Sequence, residues 1–132
     1  MDTKLISLEQ VRALAKTWLV GAGMDARGSD VLADLVTMSE RDGPRSHGLR
    51  MLPFYKQSFE CGYANPAANP KAERVAPGVL RGDGDNGYFQ IAMEAARPQL
   101  IDMARDQGIA GFTCAKCHHL AALRFDTMAL AD

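Results

Sequence analysis

Apolar side chains recur at helical spacing through the front half of this 132-residue chain and then give way to shorter, strand-like runs. Leu8, Val11, Leu14, Ala15, Trp18 and Leu19 mark a first helix, opened by a capping box from Ser7 to Gln10 and ended by Gly21 and Gly23. A second helix is predicted from about Asp25 or Ser29 to Glu40, with Val31, Leu32, Leu35, Val36 and Met38 as its apolar positions. Gly43-Pro44 stops it, because the residue before a proline avoids helical backbone. A third helix is predicted from near Ser46, with Leu49, Leu52, Tyr55 and Phe59 on one side. Pro53 inside it predicts a late start or a kink.

Gly62 to Pro70 holds two Asn-Pro steps and reads as a connector. Beyond it the period changes. Ala72 to Ala76 and Val79 to Arg81 read as short strands around a Pro77-Gly78 turn. A long helix follows from about Tyr88 to Gln107, with Pro98 as a kink, then a buried strand from Ile109 to Thr113. Helical residues run from about Leu120 to Asp132. The expected fold is α+β or α/β: a three-helix unit over residues 1–66, then the incomplete start of an α/β cofactor and substrate domain over 67–132. The pattern stops inside a helix, at Leu130-Ala131-Asp132, which suggests the front portion of a longer architecture.

Composition narrows the function classes. Hydrophobic residues make up 47% and charged residues 23%, values of an ordinary globular protein. A net charge of −1 gives no electrostatic case for nucleic acid or an acidic membrane. No apolar run approaches the roughly 20 residues that span a bilayer. No basic stretch leads into an apolar core at the N-terminus, and the cysteines number three, so a reducing, cytoplasmic location is expected.

Four stretches carry candidate chemistry. Ser46-His47-Gly48 places an imidazole just past a helix break, where it can face a cleft; taken alone it also reads as a capping serine beside a surface histidine. Gly82-Asp-Gly84-Asp-Asn-Gly87 matches the dinucleotide fingerprint G-x-G-x-x-G. Asp83 and Asp85 would set two negative charges against a pyrophosphate, so a tight turn at a helix start is the better reading. Cys114-Ala-Lys-Cys117-His118 matches a haem-attachment pattern, but that chemistry needs export, and zinc lacks a second ligand pair. A redox pair at a helix N-terminus stays open for these cysteines. His118-His119 is expected at the carboxyl end of the Ile109–Thr113 strand, the edge where open α/β sheets bind ligands.

Ser46-His47-Gly48, Leu52-Pro53-Phe54-Tyr55, Gly62-Tyr-Ala-Asn-Pro, Gly82-Asp-Gly84-Asp-Asn-Gly87 and Cys117-His118-His119-Leu120 occur in one order. That ordered set resembles the malate/L-lactate dehydrogenase family of NAD(P)-dependent 2-oxo acid and cyclic-imine reductases, and Cys117 to Leu123 most resembles the imine-reductase branch. The resemblance covers about residues 6–132 and implies NADPH or NADH as cofactor and a small 2-oxo acid or cyclic imino acid as substrate. It further implies a homodimer. By resemblance His47 and His119 are the proton-handling residues, with Ser46, Arg50 and His118 as substrate contacts. Members carry an arginine four residues after the first histidine; Met51 stands there in this chain, and Arg50 lies one residue earlier. The family's nucleotide-binding residues correspond mostly to positions beyond Asp132, and no metal is implied. A non-catalytic assembly module, pairing through the open sheet edge at Ile109–Thr113, is the alternative.

Overall fold

The computed structural model describes residues 4–119 and 121–131. The predicted helical start at Leu120 and the terminal Asp132 lie outside the described residues.

Helix α1 (Leu8–Gly21) opens on the predicted capping box, with the Gln10 amide donating to Ser7 Oγ and the Ser7 amide donating to Gln10 Oε1. Its buried stripe is Val11, Ala15 and Leu19, while Leu8 and Leu14 are exposed, contrary to the predicted apolar face. The covering helix, α2 (Ala26–Asp42), reaches one narrow i, i+4 stripe of α1. The polar margin of that contact is an ion network in which Arg12 meets Asp30 and Asp34, and Lys16 meets Asp30. Asp25 caps α2 by accepting from the Gly28 amide at 2.7 Å, and Gly43 ends it in left-handed backbone at φ 98°. α2 buries Leu32, Leu35 and Val36 completely, with both α1 and α4 (Phe89–Gln107) packed against it.

The third helix starts later than Ser46. Two 3₁₀ turns, Arg45–His47 and Leu49–Met51, come first, and α3 runs Leu52–Glu60 with Pro53 in its opening turn. There a proline costs no hydrogen bond, which is how this sequence accommodates it.

Strands β1 (Lys71–Ala76) and β2 (Val79–Tyr88) form the predicted hairpin, and β2 pairs in parallel with β3 (Gly111–His118) across α4, in the order β1-β2-β3. Three expectations are corrected here. The glycine-rich stretch is no turn between strand and helix: it lies inside β2, at a register shift between Asp83 and Gly87. β3 is longer than Ile109–Thr113 and takes in Cys114 to His118. It is also not buried, and Ile109 before it is 79% exposed. A parallel strand reads as a continuous apolar run when both faces are covered. Among the described residues β3 is an edge strand, and α4 packs on one face, where Phe112 stacks near Phe89.

Two apolar clusters result. One joins α1, α2 and α3 to Tyr88 and Ile91; the other sets Leu80 against Met93, Ala96, Leu100 and Met103 of α4. Helix α5 (Leu123–Ala131) closes the described chain, with Phe125 packed on the first cluster. Among the described residues no helix is long and apolar enough to cross a membrane.

Candidate functional site

The turn carrying His47 is fixed by backbone. Glu40 of α2 accepts a hydrogen bond from the Leu49 amide at 2.8 Å, and its carboxylate occupies the space beside Gly48. A Cβ on residue 48 would sit 2.0 Å from Glu40 Oε1, so glycine is what lets this carboxylate brace the turn. Ser46 Oγ lies 3.0 Å from His47 Nδ1, with Ser46 exposed and His47 half-buried. Arg50 is exposed, whereas Met51, at the position where the resemblance expects arginine, packs against the helical core.

His118 and His119 are consecutive and take different partners, as neighbours at a strand end do. His118 Nε2 lies 2.9 Å from Asn86 Oδ1, and its ring lies against Tyr63 with centroids 4.1 Å apart. His119, just past β3, has Nε2 3.1 Å from Asp126 Oδ2 of α5, with its ring 5.9 Å from Phe89. The Asp126 side chain is 9% exposed and that of His119 33%. Gln90 Nε2 donates to the same Asp126 oxygen at 3.4 Å. Among the described residues, Asp126 Oδ1 and Gln90 Oε1 are buried without a hydrogen-bond partner.

A cleft of about 410 Å³ opens beside this group, walled by Phe89, Met93, Cys117, His119, Leu123, Asp126, Thr127 and Leu130. The surface it presents is apolar throughout, so a charge developing inside it would be poorly solvated. His47 is not among its walls. The structure therefore brings His119 to a cleft, places His118 against Asn86 and Tyr63, and leaves Ser46, His47 and Arg50 on a separate turn.

The glycine-rich segment does not fit a dinucleotide pyrophosphate. The space over Gly84 belongs to Cys117, and that over Gly87 to Ala68, whose Cβ would lie 2.4 Å from an added one. Asp83 pairs with Lys116 at 2.8 Å and accepts from the Asp85 amide. These bonds hold Asp83 below the usual carboxylate range. Asp85 Oδ2 accepts from the Asn69 amide and from Asn65 Nδ2. Both acids thus fasten the connector and the β3 edge to β2.

The cysteine expectation is corrected as well. Cys114 and Cys117 lie within β3 rather than at a helix N-terminus. Burial first, and then the neighbouring Cys117, push the Cys114 thiol up to about 12, the opposite of an activated thiolate. Among the described residues no group of three or more His, Cys, Asp or Glu is arranged to hold a metal ion.

Sequence reasoning missed Glu40, Gln90 and Asp126. Glu40 read as a helix end, and Gln90 and Asp126 as polar residues in helical runs. The available signal was a single carboxylate in the weakly charged frame Phe125-Asp126-Thr127-Met128.

A family model described as malate/L-lactate dehydrogenase matches residues 6–132. A Δ1-pyrroline-2-carboxylate/Δ1-piperideine-2-carboxylate reductase of Pseudomonas syringae pv. tomato is 36% identical over 98% of this chain and 38% of its own length. A Δ1-pyrroline-2-carboxylate reductase of Ancylobacter novellus is 36% identical over 92% of this chain and 36% of its own. The crystal structure of the Pseudomonas syringae Δ1-piperideine-2-carboxylate reductase superposes with a TM-score of 0.91 at 37% identity, covering 94% of this chain and 37% of that one. Malate dehydrogenase from Pyrococcus horikoshii, 21% identical, shares the fold with a TM-score of 0.84, over 93% of this chain and 35% of that one. The chain thus spans well under half the length of the relatives it matches.

Proposed function

The chain belongs to the malate/L-lactate dehydrogenase family, and we propose that it carries the proton-handling side of an NAD(P)H-dependent reductase of cyclic imino acids or 2-oxo acids. The observation that carries this reading is His119, held by a buried carboxylate at the wall of an apolar cleft. Similarity to pyrroline- and piperideine-2-carboxylate reductases supports the imino-acid side.

Reduced nicotinamide supplies the hydride in this chemistry, and the reduced carbon's nitrogen or oxygen then needs a proton. An imidazole can provide it, and His119 and His47 are the two candidates in this chain. Arg50, exposed beside the His47 turn, is assigned the substrate carboxylate, with Ser46 and His118 as further contacts. The expected partners are the small acid and a second copy of the chain, with no nucleic acid or membrane, in the cytoplasm.

The test is NADPH oxidation by the purified protein with Δ1-pyrroline-2-carboxylate, Δ1-piperideine-2-carboxylate or pyruvate, beside a fluorescence titration of NADPH and NADH. Turnover that collapses in His119→Ala and His47→Ala supports the reading. Turnover indifferent to both variants, or saturable NADPH binding with no acceptor reduced, overturns it. The open edge of β3 favours a second reading, an assembly module that adds a strand there. Light scattering that shows an oligomer, with no cofactor bound, would select it.

A further inference from the structure

Cys114 and Cys117 stand three residues apart on β3, a spacing that on a regular strand points two side chains to opposite faces of the sheet. Here the strand is not regular. Lys116 between them has left-handed backbone at φ 50°, and the pairing of β2 with β3 shifts register alongside it, between Asp83 and Gly87. That irregularity returns Cys117 to the face of Cys114, as the partner strand records. Leu80, Gly82 and Gly84 alternate as the buried face of β2. A Cβ on Gly82 would lie 3.3 Å from Cys114 Sγ, and one on Gly84 2.6 Å from Cys117 Cβ. The two cysteines therefore share a floor of glycines on the face that α4 covers. Cys117 Sγ donates to the Cys114 carbonyl at 3.5 Å. After burial, the charge and hydrogen bonding of Cys117 are what push the Cys114 thiol up, an influence that only an adjacent side chain exerts.

We propose that Cys114 and Cys117 are an oxidisable pair, closed to a reversible disulfide by a hydroperoxide, that resets the end of β3 carrying His118 and leading into His119. This differs from the redox centre at a helix N-terminus expected from the sequence: the pair is a staple across a strand irregularity. It stands whether or not the chain reduces an imino acid. Both cysteines are half-buried, and Cys117 is among the walls of the open cleft, where a small oxidant reaches it. The Cys117 thiolate attacks one peroxide oxygen, the O–O bond breaks, and Cys117 becomes a sulfenic acid while the departing oxygen takes up a proton. The Cys114 sulfur then attacks the sulfenic sulfur, the S–O bond breaks, and hydroxide leaves as water with the Cys114 proton. With hydrogen peroxide, two thiols and one peroxide give one disulfide and two waters. A dithiol reverses the step by exchange and is itself oxidised to a disulfide.

The experiment treats the purified, reduced chain with stoichiometric hydrogen peroxide, blocks remaining thiols with iodoacetamide and digests with trypsin. Cleavage after Lys116 separates the cysteines, so the disulfide appears as peptides 106–116 and 117–124 joined with the loss of two hydrogens. The expected result is that joined pair, Cys61 alkylated, and full return of both thiols to alkylation after a dithiol. Both cysteines alkylated after peroxide, either one joined to Cys61, or oxidation that stops at sulfinic acid overturns the proposal. A β-branched residue avoids left-handed backbone, so Lys116→Val should slow closure about tenfold, whereas Lys116→Gly, which loses the same ion pair with Asp83, should not. Equal rates in the two variants overturn the geometric basis, and the unsubstituted chain decides alone if Lys116→Val fails to fold. On oxidation the NMR signals of His118 and His119 should shift while those of His47 stay in place. A disulfide that leaves all three histidines unmoved overturns the resetting of the strand end.

Discussion

His47 and His119 are held in opposite ways. His47 sits on two 3₁₀ turns braced from below by the Glu40 carboxylate, which bonds the Leu49 backbone and fills the space that a side chain on residue 48 would need. Its ring meets the neighbouring Ser46 hydroxyl. His119 leaves a strand end and is held by its ring, through a carboxylate seven residues on in another helix. The first arrangement holds the backbone around a histidine; the second holds the ring itself. A backbone brace tolerates much change in the surrounding side chains, whereas a ring clamp depends on one atom.

The largest test of this contrast is removal of the rings themselves. His119→Ala and His47→Ala should each lower turnover about 10²–10⁴-fold if both handle protons, as is usual for general acid–base groups. Loss confined to His119→Ala would reduce His47 to a substrate contact, which steady-state kinetics in NADPH would show.

Next in size is Gly48→Ala. The new Cβ would displace Glu40 and cost its bond to the Leu49 amide, a loss of about 2 kcal/mol for a hydrogen bond to a charged group. Urea denaturation measures that loss. The NMR signals of His47 should shift while those of His119 stay in place, and movement of both would break the idea of two independently held histidines.

A smaller effect is expected from pH. Asp83, Asp30 and Asp42 are held below the ordinary carboxylate range, first by Lys116, Lys16 and Arg41 respectively. A carboxylate whose folded value is depressed contributes stability above its unfolded pKa and loses it as pH falls through the folded value. Thermal stability should therefore be level from about pH 7 to 5 and decline below about pH 4. Asp83→Asn should flatten part of that decline by loosening the Lys116 edge of β3, far in sequence from the His47 turn.

The smallest is Arg124→Ala. Arg124 of α5 lies 3.4 Å from Asp42 at the end of α2, a link between the helix that clamps His119 and the helix that precedes the His47 turn. With Arg124 largely exposed, solvent screens this pair and it contributes little to stability. Calorimetry should show only a slight drop in melting temperature. A large drop, or a change in the His47 signals, would mean that the two regions communicate through this contact.

The His47 region was largely legible in the chain because its devices are local. Gly43 ends a helix by its left-handed backbone, Pro53 opens the next, and Ser46 and His47 are neighbours. Glu40 escaped notice because its target, the Leu49 amide, lies nine residues away across a turn of unpredicted shape. The β3 edge was the least legible part. Cys114 to His118 looks like a motif after a strand, and only the parallel register with Gly82 to Tyr88 shows that these residues belong to the strand itself.

By itself the sequence determined the capped first two helices, the hairpin at Pro77-Gly78, the long helix that follows it and the ordered motifs by which the family resemblance was read. These rest on short-range rules of capping, period and turn chemistry, which act between residues a few positions apart. Tertiary structure decided which apolar faces are covered, leaving Leu14 and Ile109 exposed, and it turned a glycine fingerprint into a bulge packed against Cys117 and Ala68. It also brought Asp126, whose Oδ2 accepts from Gln90 36 residues earlier in the chain, to Nε2 of His119. Contacts of that kind form only after helices and strands have packed, because no local pattern constrains which distant carboxylate will meet a given ring.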